Sequence, residues 1–155
     1  MDQDAAAGGA AAEPVIPPGF TLLKRLAPFT GHAGPVYERI DEQGLRTFGF
    51  RAGPQHGNLG GIVHGGMIAT FSDTILGQFE KRDFGQMTVT VRLLIDYVGP
   101  ARIGDWIEGR SRVVRQTRTL VFGEGEIFCG KHAIARCSAV FRLLDRPLEP
   151  RSRND

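Results

Sequence analysis

Two hydrophobic periods divide this chain. Val36 to Ile40 and Leu45 to Arg51 read as strands on either side of Asp41-Glu42-Gln43-Gly44, which has the composition of a hairpin turn. From Gly65 the period lengthens, and Met67, Ile68, Phe71, Ile75, Leu76 and Phe79 recur at helical spacing. Strand patterning returns after Phe84-Gly85. Met87 to Tyr97 forms a long run closed by Gly99-Pro100 and by a turn at Ile103-Gly104-Asp105. Trp106 to Arg115 and Leu120 to Cys129 follow, separated by Gln116-Thr117-Arg118-Thr119, and His132 to Leu144 comes after Gly130-Lys131. In the last run Ala133, Ala135, Cys137, Ala139, Phe141 and Leu143 share one face, and the small residues near its start predict close contact with the helix. Two short strands, one long helix and four long strands make an α+β chain. An antiparallel sheet with one apolar face, covered by a single central helix, satisfies that pattern.

Composition narrows the class. With 155 residues, 41% of them hydrophobic, the chain is long enough for one domain that buries about two-thirds of its unfolded surface. Residues 1–18 combine Ala, Gly and Pro without apolar periodicity and are expected to be a disordered arm. The domain is expected over 19–144, followed by a flexible tail over 145–155 that carries Pro147, Pro150 and three arginines. Asp2 and Asp4 stand where a secretory signal would be basic, and no run approaches the roughly 18 apolar residues of a membrane span. A net charge of +2 with no basic run interleaved with aromatics argues against nucleic acid and leaves anionic small ligands open. Cys129 and Cys137 fall in strand-like runs rather than in a Cys-x-x-Cys motif, so free thiols in a reducing cytoplasm are expected. His32, His56, His64 and His132 are scattered, and none pairs with a ligand at metal spacing. No metal or organic cofactor is expected.

The chemistry concentrates where the period changes. Gly65 and Gly66 open the helix, so its first N–H groups lack intrahelical acceptors, and the helix dipole adds positive potential there. Glycines without side chains let a substrate carbonyl come close to those donors. Asp73 comes eight residues after Gly65, which places it about 12 Å further along the axis. If both act on one carbonyl, the Asp73 of one subunit must face the Gly65 of another across a two-fold axis. On the helical wheel Asp73 lies with Thr70, Thr74, Gly66 and Gly77, opposite the apolar half. That small, polar face suits a solvated surface or leaves room for a partner.

His56-x-Asn58-x-x-Gly61-x-x-His64-Gly65-Gly66, followed by Asp73, resembles the hot-dog-fold acyl-CoA thioesterases of the phenylacetate-pathway (PaaI-like) type. The resemblance extends over about residues 19–144, because the order of predicted strands agrees as well. It implies a hot-dog fold and acyl-CoA hydrolysis. It also implies that the residues matching Asn58 and Gly65 come from one subunit while the acid matching Asp73 comes from its neighbour, in a homodimer or homotetramer. Family members commonly carry Ser or Thr ten residues before a Pro in the strand after the helix, and here Thr90 stands ten before Pro100. Gly57 occupies a position where relatives often have Cys or Thr.

The expected mechanism is thioester hydrolysis. The Gly65 N–H polarises the carbonyl, and Asp73 either activates water or attacks to give a mixed anhydride, with Asn58 and Thr90 orienting the water or the carboxylate. His64, Gly66, Arg102 and Arg118 are candidates for substrate binding, the two arginines through coenzyme A phosphates. Each has a plainer reading: His64 and Asn58 as turn-fixing residues, Thr90 as an ordinary strand threonine, and the arginines, like Lys81 and Arg82, as solvated charges. Phe71, Ile75, Phe79 and Leu94 are candidate walls for an aryl or medium-chain acyl group. Two other classes fit the same fold. One is a non-catalytic acyl-CoA-binding regulator, which has no use for an acid facing a thioester; the other is a hydratase, which needs an Asp and His pairing not found here.

Overall fold

The computed structural model of the protein describes residues 15–24, 27–78 and 87–144. In chain order the elements are β1 (Thr21–Leu22), α1 (Pro28–Ala33), β2 (Tyr37–Ile40), β3 (Arg46–Arg51), α2 (Gly65–Gly77), β4 (Met87–Tyr97), β5 (Trp106–Gln116), β6 (Leu120–Cys129) and β7 (His132–Leu144), with a 3-10 turn at Pro54–His56. The strands form one antiparallel sheet in the order β1-β2-β3-β5-β6-β7-β4. α2 packs against β4, β5, β6 and β7. This is the expected sheet around a single long helix.

Local chemistry accounts for the turns. Asp41 Oδ1 accepts from the Gln43 N–H at 3.0 Å and the Leu45 N–H at 2.8 Å, and Gly44 takes φ +80°, a conformation that favours glycine. β2 and β3 therefore pair as the hairpin their composition predicts. Close approach of helix to sheet depends on Gly109 in β5: a Cβ there would lie 2.9 Å from both Phe71 Cε1 and Ile75 Cδ1. Phe71, Ile75 and Leu76 are fully buried together with Phe50, Ile107 and Ile127, and Phe71 meets Phe50 edge-on at 4.8 Å between ring centroids. Removing such side chains from water is the main stabilising term of the fold, at about 25 cal/mol per Å² of apolar surface.

Several expectations change in detail. Phe71 and Ile75 are core residues and not pocket walls, because the apolar half of α2 faces the chain's own sheet. Leu94, by contrast, is exposed on β4. Ala133 does not share the buried face of β7: a register shift between Ile127 and Phe128 pairs Ile127 with Ala135 and Phe128 with Ala133, so Ile134 is the extra residue and the alternation resets there. β1 and α1 had no counterpart in the sequence pattern. α1 is six residues long, begins with proline at its first position and contains no buried residue, so it has no apolar stripe to read. Of the arm expected over 1–18, residues 15–18 are described: the Val15 carbonyl accepts from the Arg51 guanidinium and the Pro17 carbonyl from the Phe20 N–H. Phe79, Lys81, Arg82 and the tail over 145–155 lie outside the described residues.

Candidate active site

The segment that enters α2 is held from both sides. Asn58 opens a turn closed by the Gly61 N–H on the Asn58 carbonyl at 3.1 Å, with Gly61 at φ +75°. Within the turn Asn58 Oδ1 accepts from the Gly60 N–H at 2.8 Å and the Ile62 N–H at 3.3 Å. Its oxygen thus fixes the loop, and its side-chain N–H groups have no acceptor among the described residues. The Val63 N–H reaches the Ala101 carbonyl at 2.8 Å, and the His64 N–H reaches the His56 carbonyl at 2.8 Å. Sequence position alone allowed both a loop role and a site role for Asn58, and its geometry is compatible with the two together.

His56 anchors this segment from beneath. It is buried, its Nδ1 accepts from the Gly53 N–H at 3.0 Å, and its Nε2 lies 2.9 Å from the Ala33 carbonyl. That pair of contacts requires the neutral ring with its proton on Nε2. Burial pushes its pKa below the ordinary histidine value, against a smaller opposing pull from the Ala33 carbonyl.

His64 caps α2. Its Nδ1 accepts from the Gly66 N–H at 2.8 Å, and its carbonyl accepts from the Met67 and Ile68 N–H groups at 2.9 and 3.3 Å. Of the four N–H groups that this helix start leaves without intrahelical acceptors, His64 to Met67, those of His64, Gly66 and Met67 are engaged, by the His56 carbonyl, the His64 ring and the His64 carbonyl. The Gly65 N–H alone has no acceptor among the described residues. This divides the expected donors: Gly65 remains available, whereas the Gly66 N–H belongs to the cap. The ring of His64 fixes the turn, and the residue is exposed.

Asp73 lies about two turns further along the same helix, half-buried beside Thr70 and Thr74. Thr90 Oγ1 donates to Asp73 Oδ1 at 2.9 Å. That contact depends on an irregularity in β4, a register shift between Thr90 and Arg92 against β7 that leaves Val91 unpaired. Without the extra residue the strict alternation of β4 would turn Thr90 to the opposite face from Leu93, Ile95 and Tyr97. The bulge places it on the helix side.

Tyr97, at the end of β4, was not singled out from sequence. Its hydroxyl donates to the Gly65 carbonyl at 3.0 Å. No spacing rule signals this pairing, since it depends on how α2 lies across the strand. The two candidate arginines lie apart. Arg102 forms a bridge with Ile62 of the motif loop, and its N–H donates to Asp105 Oδ2 at 2.8 Å. Arg118 sits in the β5–β6 turn, whose Thr119 carbonyl accepts from Leu143, the partner of Thr88. Arg102 therefore adjoins the loop that leads into Gly65, whereas Arg118 lies by the Met87 end of β4.

This geometry has relatives. The family model "Thioesterase superfamily" matches residues 60–135, which include Gly65, Asp73 and Thr90. A Pseudomonas aeruginosa protein named "Putative esterase PA0474" is 35% identical over 130 residues, covering 83% of this chain and 97% of its own length. The crystal structure of BH2602 from Bacillus halodurans with CoA superposes with a TM-score of 0.71 at 28% identity, covering 80% of this chain and 83% of that one. The zebrafish thioesterase superfamily member 2 gives a TM-score of 0.64 at 30% identity, over 70% and 80%. The fold and site define a hot-dog protein. This chain belongs to the thioesterase superfamily.

Proposed function

We propose that the protein is an acyl-CoA thioesterase whose active sites are shared between two subunits. The observation that carries this reading is the single unengaged helix-start N–H, at Gly65, together with a carboxylate at Asp73 held by Thr90. A lone donor of this kind typically contributes about 2.7–4 kcal/mol when a carbonyl becomes an oxyanion. The carboxylate supplies what the donor lacks, either by activating water or by direct attack on the carbonyl carbon, and coenzyme A thiolate leaves in both routes. The BH2602 structure with CoA supports a ligand of that class.

Gly65 and Asp73 cannot meet within one chain, since α2 separates them by about 12 Å. β4 supports a second chain. Its outer edge has no strand partner among the described residues, and Met87, Val91, Leu94, Tyr97 and the adjoining Val98 are between 47% and 60% exposed there. An unpaired strand with this much exposed apolar surface is suited to pairing with a copy of itself. Gly65 is marked on β4 by Tyr97, and Asp73 by Thr90. A two-fold axis midway, near Leu93 and Leu94, brings the Gly65 end of one subunit against the Asp73 end of the other. A homodimer is the minimal assembly, and the acyl group is aryl or medium-chain. Cys129 and Cys137 are unpaired, which agrees with a reducing compartment such as the cytoplasm.

A panel of acyl-CoA esters with thiol release as readout tests the reading. Asp73→Asn is expected to fold normally and to lower kcat by roughly two orders of magnitude or more. Mixing Asp73→Ala with Asn58→Ala subunits is expected to restore activity, because each hybrid dimer retains one intact site. Near-normal turnover by Asp73→Asn refutes the role of the acid. Absence of recovery after demonstrated subunit exchange refutes the shared site.

A further inference from the structure

Tyr97 lies directly beside Gly65, the residue whose N–H is the proposed carbonyl donor. A Cβ built on Gly65 would meet the Tyr97 ring in ordinary contact, 3.5 Å from Cε1 and Cζ and 3.6 Å from the hydroxyl oxygen, so the ring lies along the bare side of Gly65. The ring is held at two points, through its own Cα on β4 and through its hydroxyl on the Gly65 carbonyl. It is nevertheless 54% exposed, so core packing does not explain it. We infer that Tyr97 is a specificity-determining residue that limits the width of the acyl group at the carbon next to the thioester carbonyl.

The inference rests on the thioesterase reading above. A carbonyl bound to the Gly65 N–H has its acyl α-carbon one bond from the reacting centre, within the space that the tyrosine borders. A free side chain would turn away from a branched acyl group. The tethered ring does not, so the additional methyl group meets a fixed wall. A linear or flat acyl group passes along the ring face instead. In the proposed two-fold arrangement, Tyr97 of one subunit also lies toward Thr90 of the partner subunit, which keeps it within the shared site.

The test compares kcat/KM for linear and α-methyl-branched pairs, butyryl-CoA with isobutyryl-CoA and phenylacetyl-CoA with 2-phenylpropionyl-CoA, by thiol release. The linear-to-branched ratio does not depend on how much of a preparation is folded, so impaired folding of a variant leaves it readable. The unaltered enzyme is expected to favour the linear member. Tyr97→Ala is expected to lower that ratio about tenfold, the typical scale for one methylene-sized group in a pocket. Tyr97→Phe keeps the ring without the tether and is expected to fall between the two; it decides the matter if Tyr97→Ala is inactive. Equal hydrolysis of both members by the unaltered enzyme, or ratios in the variants within twofold of its own, overturns the inference alone. No hydrolysis of any ester by the unaltered enzyme overturns the thioesterase reading and this inference with it.

Discussion

Gly65→Pro replaces the amide hydrogen with the proline ring and so removes the donor at a helix position where proline is otherwise accepted. Gly65 is the first residue of α2, the position at which proline is best tolerated because its N–H has no intrahelical acceptor. His64 before it has φ −65° and ψ 136°, within the extended region that a residue preceding proline prefers. A Cβ at this position makes only ordinary contact with the Tyr97 ring, at 3.5 Å. No hydrogen bond of the described fold is lost, since the Gly65 N–H has no acceptor there. Stability is therefore expected to change by less than about 1 kcal/mol, with the reduced freedom of the unfolded chain acting in favour of the variant. Activity is expected to fall by about 10²–10³ in kcat, the usual consequence of losing one oxyanion donor. Gly65→Ala is the control, because it adds a similar Cβ and keeps the N–H. Thermal unfolding and steady-state thiol release on the same preparations separate the two effects. A Gly65→Pro enzyme as active as Gly65→Ala refutes the assignment of this amide to the carbonyl.

Two further outcomes follow from the contacts. Thr90→Val keeps shape and removes the hydroxyl that holds Asp73; hydrogen bonds to charged groups contribute about 1.5–3 kcal/mol, and at this exposed site the lower figure applies, so kcat is expected to fall roughly tenfold. In an Asp73→Asn background the same change is expected to cost little, and full additivity in that double-mutant cycle counts against a joint role. Because the buried ring of His56 resists protonation, the unfolded chain binds more protons than the folded one below pH about 6.5, and stability falls as pH falls through that range. His56→Asn retains an acceptor for the Gly53 N–H without a titrating ring. It is expected to melt lower at pH 7.5 but to lose less between pH 7.5 and 5, and equal slopes of Tm against pH refute this.

What could be read from the chain, and what could not, divides by range. β4, β6 and β7 begin and end where their patterning predicts, and α2 begins at Gly65 as predicted. Each of these signals lies within a dozen residues, where period and turn composition act directly. The bulges at Val91, Val114 and Ile134 are invisible to periodicity, since one extra residue is defined only against a partner strand. Yet one of them turns Thr90 toward Asp73. Tyr97 was missed for a related reason: its contact joins residues 32 apart in sequence, and only the lie of α2 on the sheet pairs them.

The apolar half of α2 carries the same lesson toward function. Its spacing reads equally well as a core stripe or as an acyl-binding wall, and the sheet resolves the ambiguity by closing over it. With Phe71 and Ile75 fully buried among strands of their own chain, those side chains have no surface left for a substrate. The surfaces that remain open next to the Gly65 N–H and Asp73 are the small polar side of α2 and the apolar edge of β4. Both lie beside the edge of β4 that has no strand partner among the described residues. A helix of 13 residues keeps Gly65 and Asp73, the two groups of the proposed site, apart by the same 1.5 Å rise per residue that makes it a helix. Bending it to bring them together would break the backbone hydrogen bonds that support the donor end. In the proposed dimer a second, inverted copy would supply the missing group without deforming either helix, and it would cover the exposed β4 edge at the same time.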